Sequence, residues 1–334
     1  MSEGNLFEQQ AANKRRSAWL TAGFVVFTAW VGFGGDFGFY LLTRDGPPSN
    51  YHHVIPFIGL AASAIAGGIA FFSWRFGPQQ VLKAAGASEL VEAATPAQTQ
   101  LINVVHEMAI ASGLRPPKIW VIPDSDPNAF ATGNDPDAAH VAVSEGLLAA
   151  LNRDELQAVV AHEMAHIRNY DVRLMTLLAG MVGAIVLMSD LMRNFLRFGG
   201  RIDGRGHRGG DNKKDVNPLA LLVLALWLVT LLIAPLVSRL LAMSVSRKRE
   251  YLADATGAQF TRNPMALASA LEKLDAASAA TRSIARGAAH MCIVDPVERR
   301  IASHEGFLGR FASHPPISAR VARLKGMAFQ QSKD

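Results

Sequence analysis

Asn152-Arg153-Asp154-Glu155-Leu156-Gln157-Ala158-Val159-Val160-Ala161-His162-Glu163-Met164-Ala165-His166 is the stretch that decides how this chain folds. Asn152 and Glu155 have the spacing of a capping box, the side chain of each satisfying a backbone amide of the other at a helix start. An apolar run carries that helix to two histidines. Residues four apart on a helix lie on one face, one turn apart. His162 and His166 can therefore each give a ring nitrogen to one Zn2+ at about 2.0–2.1 Å. Glu163 can reach water at that ion without ligating it, the placement of a general base. A second copy of the first letters, His106-Glu107-Met108-Ala109, is followed by Ile110 and lacks the second imidazole. It reads as an ordinary amphipathic helix.

Around this motif the chain is unusually apolar: half of its 334 residues are hydrophobic and only 18% are charged. Four apolar stretches stand out, Ser17–Leu42, Val54–Trp74, Leu174–Met188 and Pro218–Val237. A spanning helix needs about 20 apolar residues, so the first, second and fourth suffice. The third covers only roughly 22 Å as a helix and needs Asp190 or the residues before it to cross. Lys14-Arg15-Arg16 precedes the first stretch, which is too long for the core of a secretory signal and reads as an uncleaved anchor. The positive-inside rule then places the N-terminus in the cytosol. Arg75 and Lys83 after the second stretch agree, as does Arg247-Lys248-Arg249 after the fourth. The Arg-rich loop 193–214 runs against the rule. Whether or not the last two stretches cross fully, the residues before the third and after the fourth share one side. Residues 75–171 and 241–334 can thus form one cytosolic domain, with 1–74 supplying a tail and two membrane helices and 172–240 a membrane hairpin with a basic, Gly-rich loop.

The cytosolic pieces read as a mixture of helix and strand. Thr99–Ser112 is an amphipathic helix, Lys118–Ile122 and His140–Ser144 are β-rich runs of a small sheet, and 264–278, 296–303 and 317–326 are helix candidates. The helix carrying the zinc motif is expected to run straight on into the third apolar stretch. Catalytic zinc takes three protein ligands and keeps one open position. Glu250, in Glu250-Tyr251-Leu252-Ala253-Asp254, is the candidate third ligand, because it follows the fourth apolar stretch on the same side as His162. Asp254 shares its face one turn on and can accept the free N–H of a ligating histidine. Asn169 and Asp171 read as shaping the helix near the cytosolic interface. Asp36, within the first apolar stretch, is expected near the outer interface rather than at an ion path. Cys292 is the single cysteine, which excludes a disulfide or a cysteine-rich metal site and leaves a buried small hydrophobe. The net charge of +5 comes from residues that flank apolar stretches or fall in one loop. No nucleic-acid motif accompanies them, so no nucleic-acid partner is expected.

Taken together, Asn128-Ala129-Phe130-Ala131-Thr132-Gly133, the zinc motif with Asn169 and Asp171, the run Arg249–Asp254 and Ser313-His314-Pro315-Pro316 resemble the HtpX-type membrane metalloproteases, relatives of the CAAX prenyl endopeptidases. The resemblance covers most of the chain. It implies one Zn2+ per chain, held by His162, His166 and Glu250, with Asp254 orienting a zinc-bound histidine. It implies His314 and Arg320 facing the metal to stabilise an oxyanion, and Asn128 near the cleft edge where a substrate strand joins the sheet. The expected fold class is a mainly α membrane protein, with four transmembrane helices and a cytosolic α+β zincin-like catalytic domain. The implied function is endoproteolysis of misfolded or damaged membrane proteins at cytosolic segments, in a bacterial inner membrane. A zinc-binding scaffold without activity is the alternative, against which Glu163 argues.

Overall fold

The computed structural model describes residues 6–43, 55–178, 222, 225–227, 229–230, 247–277, 292–293 and 315–331. The apolar stretches beyond residue 178, loop 193–214, helix candidate 296–303 and His314 lie outside the described residues, apart from those between 222 and 230. The chain forms two compact units, one of Met1–Ala18, Phe72–Gly180 and Leu240–Asp334, the other of Trp19–Phe71 and Met181–Arg239.

The first two apolar stretches form helices α1 (Leu6–Thr43) and α2 (Phe57–Ala84). Ala11–Phe37 and Gly59–Ala84 within them, 27 and 26 residues, are apolar and long enough to cross a bilayer. At 1.5 Å per residue each reaches about 40 Å, against a hydrocarbon core of ~30 Å. α2 passes the expected end at Trp74 and accommodates Pro78 before stopping at Ala84. In the second unit Asp36 is buried, and its carboxylate accepts the amide of Gly59. That amide is in the first turn of α2 and has no partner within its own helix, so Asp36 caps α2 from the neighbouring helix. Gly34 lies against the Trp227 indole, where an added Cβ would collide, and Trp227 Nε1 donates to Val31 O at 2.8 Å.

The first unit holds the mixed domain. α3 (Pro96–Ser112) starts at Thr95, whose side chain accepts from Gln98 N, and ends at Gly113 with φ 70°. Four strands follow one another across a sheet ordered β1-β2-β4-β3: β1 (Ser88–Glu89), β2 (Lys118–Ile122), β3 (Ala129–Gly133) and β4 (Ala139–Ser144). β2 and β4 are parallel, and β3 is antiparallel to β4. Behind α4 (Glu145–Ala150), the expected capping box opens α5 (Arg153–Arg168): Asn152 Oδ1 accepts from Glu155 N and Glu155 Oε2 from Asn152 N, both at 2.9 Å. Glu155 also takes Lys273 Nζ and Ser269 Oγ of α7 (Pro264–Ala276), each at 2.7 Å. The Glu107 of the partial second motif holds Arg153 and Gln157 of α5.

α5 is the central element. Leu156, Val159, Val160, Met164 and Ile167 are buried against Leu101, Val104 and Val105 of α3 and Leu267, Leu271 and Leu274 of α7. This stripe recurs at three- and four-residue spacing, as one helix face requires. α6 (Arg247–Thr261) and α8 (Ile317–Gln331) complete the domain. One expectation is corrected here. α5 does not run straight into the next helix: Asn169 closes it and Tyr170 takes φ 60°, after which helix resumes at Asp171. That break aims Asp171 back at the histidine face.

Candidate metal centre

α6 crosses α5 at Gly257, where a Cβ would lie 3.0 Å from His162 N and 3.1 Å from its Cα. Only a residue without a side chain lets the two backbones approach so closely. Glu250, Asp254 and Gly257 are spaced four and three apart, hence on one face of α6, and the crossing lays that face on the imidazoles. His162 Nε2 and His166 Nε2 face each other at 3.2 Å. Glu250 closes a triangle, with Oε1 3.5 Å from His166 Nε2 and Oε2 3.7 Å from His162 Nε2. On the far sides of the rings, His162 Nδ1 lies 3.0 Å from Asp254 Oδ1 and His166 Nδ1 lies 3.1 Å from Asp171 Oδ2.

A carboxylate behind each ring favours a proton on Nδ1, and both Nε2 atoms and the Glu250 oxygens face one small space. Such a set of acceptors calls for a cation. The edges of the triangle also fit one: a tetrahedral centre with bonds of about 2.0–2.2 Å places its ligands about 3.3–3.6 Å apart. Carboxylates behind both ligating rings are the usual outer partners of such a site. Burial alone would lower the pKa of His166, but the Asp171 hydrogen bond and the charges of Glu250 and Asp171 push it up from 6.5 to about 9. In the metal-free protein the raised value contributes stability below about pH 6.5, lost as pH rises through about 9. Metal uptake runs the other way, because the ion must displace the His166 proton. Apparent zinc affinity is expected to rise about tenfold per pH unit between pH 7 and 9 and then level off; competition with a chelator across that range measures it.

Arg320 of α8 is fully buried beside this set. Its Nε donates to Asp254 Oδ2 at 2.8 Å, its Nη2 to Asp254 Oδ1 at 2.6 Å and its Nη1 to Ile293 O at 3.1 Å. Nη1 also lies 3.6 Å from Glu250 Oε2, and Nη2 lies 3.5 Å from His162 Nε2. Burial alone would raise the Asp254 carboxyl, but the Arg320 charge and the His162 ring hold it down at about 2. Asp254→Ala would strand a buried guanidinium as well as free His162. Unfolding of this variant is expected to show a loss of about 3–5 kcal/mol.

Glu163 is 2% exposed. Burial pushes its carboxyl above the usual range, against the charges of His162 and His166 and the donating amide of Ala131 on β3. Asn128 sits buried at the head of β3, and its Oδ1 accepts from Ala129 N at 3.0 Å. Cys292 is buried and forms no disulfide; its backbone bridges to Phe130, and Ile293 N donates to Ala129 O on the outer edge of β3. Two features of the site are not legible in the sequence. Asp171 reads there as shaping the helix, because its contact with His166 depends on the break at Tyr170. Gly257 carries no signal of its own in one sequence.

His162, His166 and Glu250 are close enough together to hold one metal ion, and two imidazoles with a carboxylate are a donor set of metal-dependent hydrolases. Comparison with known proteins narrows the class. The sequence model "Peptidase family M48" matches residues 96–328, and the chain belongs to that family. It is 35% identical over 323 residues to a protease HtpX homolog of Streptococcus gordonii, and 35% identical over 325 residues to one of Lactobacillus helveticus. Each match spans 96% of this chain and 100% of the relative. Among solved structures, the crystal structure of S. mikatae Ste24p superposes with a TM-score of 0.40 at 18% identity, over 96% of this chain and 66% of that one; an overlap so loose bears on nothing further.

Proposed function

We propose that this chain is an integral membrane zinc endopeptidase that cleaves misfolded or damaged membrane proteins at cytosolic segments. The observation that carries the reading is the triangle of His162, His166 and Glu250 with Glu163 adjoining it. Two imidazoles and a carboxylate are a donor set of catalytic zinc sites. When bound there, zinc supplies Lewis acidity toward a carbonyl and lowers the pKa of water toward ~7. The chain's own groups do the rest. Glu163 takes a proton from the attacking water and returns it to the leaving amine. Its raised pKa suits a base that must also act as an acid. Asp254 and Asp171 hold the two rings. Arg320 brings positive charge to the ligand side, where it favours an oxyanion, with His314 as its proposed companion. A substrate strand is proposed to join the outer edge of β3 near Asn128, replacing the contact that Ile293 makes there.

Membrane embedding is supported by what α1 and α2 expose: Trp19, Val26, Ile65 and Phe71 are each more than 60% or about 60% exposed, at 78%, 68%, 60% and 62%. Large apolar groups in such numbers are costly in water and ordinary in lipid. The cytosolic orientation rests on the cations at 14–16, and the proposed bacterial plasma membrane on the apolar helices α1 and α2 and the bacterial sources of the HtpX homologs. The test is reconstitution of the full chain, loaded with zinc, in vesicles with a membrane protein whose cytosolic loop is either folded or destabilised. Cleavage confined to the destabilised loop is expected. Equal cleavage of both forms would refute the selectivity, and cleavage only on the opposite side would refute the orientation.

A further inference from the structure

Asn13 is 5% exposed although Lys14, Arg15 and Arg16 beside it are exposed. A buried amide next to three solvated cations has partners that hold it there. Its Nδ2 donates to Asn169 O at 2.9 Å and to Asp171 Oδ1 at 2.8 Å. The first acceptor is the carbonyl released where α5 breaks at Tyr170. The second is one oxygen of the carboxylate whose other oxygen meets His166 Nδ1 at 3.1 Å. Lys14 Nζ stands 4.1 Å from the centre of the Tyr170 ring, over the same break. Arg249 Nη1 lies 3.7 Å from Asp171 Oδ1 and pulls on the oxygen that Asn13 holds. Without the Asn13 amide, that pull is free to turn the carboxylate and draw Oδ2 off the histidine.

We infer that Asn13 is a positioning residue for the metal ligand His166, acting through Asp171. α1 runs unbroken from Leu6 through Asn13 to Thr43, so the helix taken as an anchor also supplies an outer contact of the metal site. The inference goes beyond the proposed function but rests on its reading that His162, His166 and Glu250 hold the ion. Loss of an outer partner costs metal sites about 10- to 100-fold in affinity, and a contact one step further out belongs at the low end of that range.

The experiment is a double-mutant cycle on the full chain in detergent, titrated with zinc against a chromophoric chelator. Thermal unfolding of each zinc-free protein is recorded alongside. Asn13→Leu should weaken zinc binding about tenfold. In an Asp171→Asn background the same change should weaken it less than about twofold, because partners acting in one chain of contacts are not additive. If Asn13→Leu does not fold, Asn13→Ser takes its place, with a smaller loss and the same dependence on Asp171. Wild-type affinity in the Asn13 variant overturns the inference. So does a full loss that persists in Asp171→Asn, which would place the action of Asn13 elsewhere. A wild type that binds no zinc overturns the metal-site reading itself, and a zinc-free Tm lowered at unchanged affinity reduces Asn13 to a structural role.

Discussion

Glu163→Gln is expected to lower cleavage of an unfolded polypeptide by about 10³-fold or more while leaving zinc content at the wild-type level. The amide keeps the size of the side chain and can still meet Ala131, so the packing of α5 against β3 should survive. What it lacks is a proton acceptor. General acid–base groups contribute about 10²–10⁴-fold, and Glu163 is assigned both the abstraction and the return of the proton, which puts the effect at the upper part of that range. The buried position of Glu163 makes substitution by bulk water ineffective. Cleavage within tenfold of wild type would remove Glu163 from the mechanism. Loss of zinc together with cleavage would make it a support of the metal site instead.

Glu250→Gln should act at the other step, on the ion itself. The neutral amide is a far poorer ligand, and it removes the negative charge that balances Arg320, 3.6 Å away. The expected loss of zinc affinity exceeds the ~100-fold that an outer partner such as Asp254 or Asp171 costs. Cleavage at limiting zinc should fall in parallel and recover in part at excess zinc. Unchanged zinc affinity would exclude Glu250 from the triangle and leave the two histidines without a third protein ligand.

What a single sequence could disclose was local. The capping box at Asn152 and Glu155, the helix face of His162 and His166, and the pairing of Glu250 with Asp254 all follow from spacing along one helix, and spacing is visible. The same holds for α3, α7 and the strands at 118–122 and 139–144. β3 was less visible: Ala129–Gly133 is short, small-residued and buried throughout, with no alternation to mark it. The contributions of Asp171 and Gly257 come from backbone geometry, a left-handed residue at Tyr170 and a helix crossing, which have no period. Asn13 contacts residues 156 and 158 positions away, a distance that no local pattern spans. The membrane reading illustrates the same limit. Composition marks α1 and α2, while the fate of Asp36 depends on a neighbouring helix whose amide it caps.

The central claim is that one ion is held between α5 and α6 by His162, His166 and Glu250. Zinc-edge X-ray absorption on the full chain with one equivalent of zinc tests it most directly. Two imidazole nitrogens with the rest of the shell oxygen, all at about 2.0–2.2 Å, and no sulfur are expected. A sulfur scatterer at about 2.3 Å, which only Cys292 or a methionine could supply, or a shell without imidazole, would contradict it.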